Sequence, residues 1–174
     1  PVSTLLGERA LNTAVLATAA LLFATAIGIP VGIYSGSRTR GLGRSYGDSS
    51  LPPPSQPIVA ATSLADRVLA FDATTGDLRA EAGFSARDLM RTFLPRGWVT
   101  PVSPGTQFVT LGGMVAADVH GKNHHRDGTI GRHVQRLRLR VGTGAIVECS
   151  PTVEPELWWA TIGGMGLTGI IVEA

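Results

Sequence analysis

Hydrophobic and polar residues follow two contrasting patterns in this sequence. Leu11–Tyr34 contains no charged residue, and as a helix it would extend roughly 36 Å, enough to cross a hydrocarbon core of about 30 Å. Gln135–Val141 instead alternates arginine with leucine or valine, which is typical of a half-buried strand with a solvated charged face. The sequence therefore predicts a long apolar helix followed by a part with strands.

Shorter segments after residue 38 predict alternating strands and helices. Val68–Asp72 and Leu78–Ala82 have strand length and flank a turn, and Ala145–Cys149 would form a hairpin with Gln135–Val141. Ser85 is a candidate N-cap for a helix that places four apolar residues on one face, namely Leu89, Met90, Phe93 and Leu94. This mixture predicts an α+β domain.

The apolar segment has two interpretations. Its length favours a membrane helix, and because Arg38, Arg40 and Arg44 follow it, residues 39–174 would lie on the cytoplasmic side. The alternative is a buried helix that ends near Gly28 and Pro30. Residues 4–38 also resemble one membrane helix of a peptide-type transport permease. We therefore divide the chain into residues 1–38 and residues 39–174.

Composition and charge exclude several classes of function. Hydrophobic residues make up 44% of the chain and charged residues 16%, and a net charge of +2 with scattered basic residues argues against binding to nucleic acid. The single cysteine, Cys149, excludes an intrachain disulfide. No carboxylate or cysteine lies at ligand spacing beside His120, His124 and His125, so we predict no metal site.

Glycine-rich segments are the candidates for ligand binding. In residues 101–125, Gly112 and Gly113 would let main-chain N–H groups approach an anion, although a loop between two strands is an equal alternative. Residues 41–48 contain three glycines beside Arg44 and could hold a pyrophosphate. The glycines of residues 163–169 indicate close approach either to a ligand or to a neighbouring strand.

Taken together, these segments resemble a known family, the FAD-binding (PCMH-type) domain of vanillyl-alcohol-oxidase-like enzymes. The resemblance covers residues 39–174 and rests on the ordered motifs RGLGRSYGD at 40–48, PGT at 104–106, TLGG at 110–113, DVHGKNHH at 118–125, LWWATIGG at 157–164 and GLTGII at 166–171. It implies an α+β fold with FAD as cofactor.

The resemblance also implies which residues would bind FAD. They are Thr39, Arg40, Gly41, Leu42, Gly43, Arg44, Ser45, Tyr46, Gly47, Asp48, Ser49, Gly105, Thr110, Leu111, Gly112, Gly113, Ala117, Asp118, Val119, His120 and Ile171. Many members attach FAD covalently to a histidine, and Arg44 stands at that position here, which implies non-covalent FAD. His120, Lys122 and Tyr46 would be the catalytic residues.

The reaction implied is oxidation of a sugar or polyol hydroxyl by hydride transfer to the flavin, with a polyprenyl-phosphate-linked ribose of cell-wall biosynthesis as substrate. The family's domain begins with a strand, a helix and a strand, whose place the permease-like segment takes here, and its second domain is absent. We therefore expect an incomplete FAD-binding domain. A membrane permease fragment or a nonfunctional fusion are the alternative functions.

Overall fold

The computed structural model describes residues 39–40 and 60–174. The apolar segment Leu11–Tyr34 and the glycine-rich residues 41–49 lie outside this part, so the membrane helix stays a prediction. Among the described residues, no helix has the length and apolar character needed to cross a membrane.

Helices and strands alternate through the described part, as the sequence predicts. The strands are β1 (Thr39–Arg40), β2 (Ala60–Ala61), β3 (Val68–Phe71), β4 (Leu78–Ala80), β5 (Leu137–Arg140), β6 (Ile146–Cys149) and β7 (Ile170–Glu173). The α-helices are α1 (Ala86–Phe93), α2 (Leu111–Ala116), α3 (His124–Asp127) and α4 (Pro155–Thr161), with 3-10 turns at Leu94–Arg96 and Ile130–Arg132. The predicted mixture of helices and strands is confirmed.

Most strands belong to one antiparallel arrangement. β5 pairs with β6 on one side and with β7 on the other, while β3 and β4 form a hairpin. Ala80 and Ala174 exchange backbone hydrogen bonds of 2.9 and 3.1 Å, and Ala82 N–H donates to Val172 O over 3.0 Å. These bonds join the hairpin to the sheet in the order β3-β4-β7-β5-β6. β1 and β2 form a separate parallel pair.

The predicted alternation of Gln135–Val141 appears in β5. Leu137 and Leu139 are fully buried and pack with Trp158 and Ile171 in the main core. The arginines on the other face are not simply solvated, because Arg138 pairs with Glu173 of β7, which also receives Arg79 of β4 over 2.8 Å. One carboxylate thus joins three strands.

Helix α1 confirms the predicted cap and corrects the predicted face. Ser85 Oγ accepts from Asp88 N–H over 3.1 Å, and the cap fixes the start of the helix. Leu89 and Phe93 are buried, as predicted. Leu94 was predicted on the same face but is 59% exposed, because the chain has already passed into the 3-10 turn there.

Cys149 lies in the main core, where burial raises the pKa of its thiol to about 11. The thiol is therefore protonated at neutral pH and contributes to the packing of the core.

An ion pair between Arg67 and Glu81, the residues on either side of the β3-β4 hairpin, makes the stability of the protein depend on pH. The Glu81 carboxylate accepts from Arg67 Nη2 over 2.7 Å and from Arg67 N–H over 2.9 Å, and these hydrogen bonds lower the pKa of Glu81. The folded state therefore binds a proton at the Glu81 carboxyl more weakly than the unfolded chain does. The stabilisation is present above the unfolded-state pKa of glutamate and is lost as pH falls through the lower, folded-state pKa.

We expect Glu81→Gln to lower the melting temperature at neutral pH. The effect should be smaller below the folded-state pKa of Glu81, where the wild-type carboxyl group is protonated and is therefore neutral, as glutamine is. Thermal melts followed by circular dichroism at both pH values measure this difference. Glu156→Gln is the control, because Glu156 is exposed and forms no ion pair within the described part. An equal effect of Glu81→Gln at both pH values would contradict the linkage.

Candidate functional site

Helix α2 occupies the middle of the candidate site, where the sequence predicted a glycine loop. Thr110 caps the helix, and its Oγ1 accepts from Gly113 N–H over 3.2 Å. Gly112 N–H donates to Ala82 O over 2.8 Å. Both of these N–H groups therefore have partners inside the protein, and the approach of main-chain N–H groups to an anion here stays a prediction.

The segment before α2 is held by the start of α1. Ala86 N–H donates to Val109 O, Arg87 N–H donates to Gln107 O, and Leu111 N–H donates to Phe84 O, each over 2.8 to 2.9 Å. This short antiparallel ladder fixes residues 107–111, and therefore the Thr110 cap, relative to α1.

A side-chain contact supports the same ladder. The Arg87 guanidinium lies 5.8 Å from the centroid of the Phe108 ring, a distance at which a cation is attracted to an aromatic face. Neither Arg87 nor Phe108 was predicted to support the site, because only the folded chain brings them together.

The glycines near α2 separate into two kinds. A Cβ on Gly112 would lie 2.8 Å from Ala82 Cβ, so packing requires glycine there. A Cβ on Gly105 would meet nothing within 4 Å, and one on Gly113 would meet only Thr110 Oγ1, at 3.1 Å. Neither Gly105 nor Gly113 has a positive φ. Packing among the described residues therefore gives no reason for glycine at position 105, and at position 113 only a close approach to the Thr110 hydroxyl.

The outer surface of α2 is correspondingly open. Gly113 and Ala117 are both exposed and lie one helical turn apart, so this face presents backbone and a single methyl group. Gly105 is also exposed. A flat ligand such as FAD fits a surface of this kind, because no large side chain keeps it from the main chain.

Polar side chains follow directly after α2. Asp118 has a left-handed backbone, with φ at 43°, and its Oδ1 accepts from Gly131 N–H over 2.9 Å. His120 and Lys122 are exposed, and Nδ1 of His120 lies 3.4 Å from Gly121 O. The His120 and His124 rings are 5.1 Å apart. Residues 60–174 contain no group of three metal-ligating side chains placed to hold an ion.

The second glycine-rich segment packs onto the C-terminal end of α2. Gly163 N–H donates to Val115 O over 3.1 Å, and Met165 N–H donates to Ala116 O over 2.8 Å. A Cβ on Gly169 would lie 2.6 Å from Arg140 O. For residues 163–169 the structure therefore supports the packing alternative.

The remaining predicted residues are placed only in part. Ile171 is buried in the core, where β7 pairs with β5. Thr39 and Arg40 pair with Ala60 and Ala61 through their backbones. Residues 41–49, which include Tyr46 and Arg44, lie outside the described part. The predicted residues from Thr110 to His120 belong to α2, its caps and the residues that follow it directly.

Comparison with known proteins finds related sequences. A family model described as "FAD binding domain" matches residues 18–150. The decaprenylphosphoryl-beta-D-ribose oxidase of Mycolicibacterium smegmatis is 42% identical over 136 residues, which cover 78% of this chain and 29% of that protein. Cytokinin dehydrogenase 4 of Arabidopsis thaliana is 32% identical over 108 residues, which cover 62% of this chain and 20% of that protein.

A D-lactate dehydrogenase of Anaerostipes hadrus is 28% identical over 113 residues, which cover 62% of this chain and 24% of that protein. The chain thus spans less than a third of the length of each of these relatives. The family match begins at residue 18, so it overlaps the apolar segment Leu11–Tyr34.

The two neighbouring glycines of α2 should respond oppositely to alanine. Gly112→Ala is expected to destabilise the protein by about 1–3 kcal/mol, because the new methyl group overlaps Ala82. Gly113→Ala should change stability by less than about 1 kcal/mol, because alanine favours a helix but its methyl group lies close to Thr110 Oγ1, while it weakens FAD binding by covering the open face. Urea unfolding and quenching of flavin fluorescence measure the two effects.

Gly142→Ala is the matched control for Gly113→Ala. Gly142 lies in the turn between β5 and β6, has no positive φ, and a Cβ there would meet nothing within 4 Å. This variant should bind FAD as the wild type does. Wild-type affinity in Gly113→Ala would contradict the assignment of the open face to FAD.

Proposed function

This chain belongs to the FAD-binding domain family, and from this we propose that it is the FAD-binding part of an oxidoreductase that acts on a sugar or polyol hydroxyl. Membership of this family confirms the predicted family and the predicted cofactor. The observation that carries the proposal is the open face of α2 at Gly113 and Ala117, followed directly by the exposed side chains of His120 and Lys122. This arrangement would leave space for a flat cofactor near two side chains that are suited to acid-base chemistry.

His120 is suited to act as a base. With Nδ1 protonated and directed to Gly121 O, its Nε2 carries a lone pair that can accept the proton of a substrate hydroxyl. When bound, FAD supplies a hydride acceptor for the adjacent C–H bond. In oxidation of an alcohol to a carbonyl, His120 would take the proton of the hydroxyl group.

Lys122 supplies a positive charge near the same surface. It is exposed and forms no ion pair among the described residues, so its ammonium group is available to a phosphate. The relative from Mycolicibacterium smegmatis is named for a decaprenylphosphoryl ribose. We therefore propose a polyprenyl-phosphate-linked ribose as the substrate class, with Lys122 near its phosphate.

Three further proposals rest on the sequence alone. Non-covalent attachment of FAD follows from Arg44 at the position of the flavin-linking histidine, and Tyr46 would lie against the flavin. The segment Leu11–Tyr34 would span a membrane and leave residues 39–174 on the cytoplasmic side.

Titration of the full chain with FAD tests the cofactor-binding role. We expect quenching of flavin fluorescence that saturates at one FAD per chain, and release of intact FAD on denaturation, because attachment is non-covalent. Binding that does not saturate would contradict a specific site. The polyprenyl-phosphoryl ribose should then bleach the bound flavin under anaerobic conditions, whereas a cytokinin should not.

The proposed base is tested by His120→Gln. The rate of flavin bleaching by the sugar substrate should fall by about 10²- to 10⁴-fold, the usual contribution of a positioned base, with FAD affinity nearly unchanged. His125→Gln is the matched control, because His125 is an exposed histidine on α3 outside the proposed site. Equal bleaching rates in the His120 and His125 variants would exclude His120 as the base.

A further inference from the structure

Asp118 combines an unusual backbone with a partly buried side chain. Only three non-glycine residues of the described part have a positive φ, namely Asp118, Glu154 and Met165. Residues with a side chain seldom adopt this conformation, and surrounding contacts must hold them there. Asp118 stands where α2 ends and the segment carrying His120 begins.

The contacts that hold Asp118 come from two other segments. Its Oδ1 accepts from Gly131 N–H over 2.9 Å, and the carboxylate leaves no room for a side chain on Gly131, whose added Cβ would lie 2.9 Å from Oδ1. A Cβ on Gly163 would approach Asp118 Cβ to 3.3 Å. The partly buried side chain of Asp118 thus lies beside residues 131 and 163.

The turn at Asp118 sets the direction of the residues that follow. Val119 O accepts from Ile130 N–H over 2.9 Å, and His120 forms an antiparallel bridge with Thr129. Residues 119–120 therefore run alongside residues 129–131, and the bond from Gly131 to Asp118 closes this pairing at the end nearest α2.

We propose that Asp118 is a positioning residue for the FAD site. Its carboxylate, by holding Gly131 N–H, fixes the direction in which the segment 119–122 leaves α2, and its side chain has no contact of its own with FAD. This inference rests on the proposed function. The family resemblance implied Asp118 among the FAD-binding residues, and the role that we propose for its side chain is an indirect one.

Two substitutions of Asp118 and one control separate the effect of the hydrogen-bond acceptor from the effects of the charge and of the left-handed backbone. Asp118→Asn keeps an oxygen acceptor and the tolerance for positive φ, but removes the charge. Asp118→Gly adopts positive φ freely and lacks the acceptor, so it should fold while losing the bond to Gly131. Glu154→Ala is the control, because Glu154 also has a left-handed backbone, with φ at 48°, but lies at the start of α4.

Asp118→Asn should bind FAD within about threefold of the wild type and give the same flavin absorbance maximum. Asp118→Gly should bind about ten- to hundredfold more weakly, because FAD must then order the segment that the hydrogen bond from Gly131 N–H had held. At saturating FAD its absorbance maximum should be shifted. Glu154→Ala should leave affinity and spectrum unchanged.

Hydrogen exchange provides a measurement without FAD. The amide of Gly131 should exchange faster in Asp118→Gly than in the wild type or in Asp118→Asn. Wild-type FAD affinity in Asp118→Gly would overturn the positioning role alone, and so would equal weakening in the Asn and Gly variants, which would assign the effect to charge. Absence of FAD binding by the wild-type chain would instead overturn the proposed function, and with it the inference.

Discussion

The backbone hydrogen bonds at the two ends of α2 are the constraint on which the candidate site depends. At the start, Leu111 and Gly112 donate to Phe84 and Ala82, and at the end, Val115 accepts from Gly163. A helix of six residues is far too short to be stable by itself in water. Its position is therefore set by α1, by the sheet and by the glycine segment after α4, and the open face of the site follows from that position.

Much of the fold could be predicted because its signals are local. The alternating leucines and arginines of β5 and the Ser85 cap of α1 appear in a few consecutive residues. Helix α2 could not be predicted in this way, since Gly112 and Gly113 disfavour a helix and the segment is short. What stabilises it is contact with Ala82, thirty positions earlier in the chain.

The glycine-rich segments illustrate the same limit for the site. For residues 163–169, glycine content indicated close approach but could not separate a ligand from a neighbouring strand, and for residues 101–125 it could not separate an anion site from a loop between strands. The structure assigns Gly112, Gly131 and Gly169 to internal packing, and leaves Gly105 and Gly113 open. Whether a glycine is required by packing depends on residues that only folding brings near it. A single glycine in the sequence is therefore a weaker indication of a cofactor than the ordered set of motifs.

The sheet order has a consequence for how this domain forms. β7 lies between β4 and β5, and its Glu173 joins Arg79, 94 positions earlier, to Arg138. Each of the two hairpins can form from neighbouring residues. Joining them into one sheet requires β7, and its pairing with β4 closes a long loop at an entropic cost. Within the sheet, the β3-β4 hairpin therefore depends on residues 170–174 for its connection to β5 and β6, so a change confined to this one short strand would act on both hairpins at once.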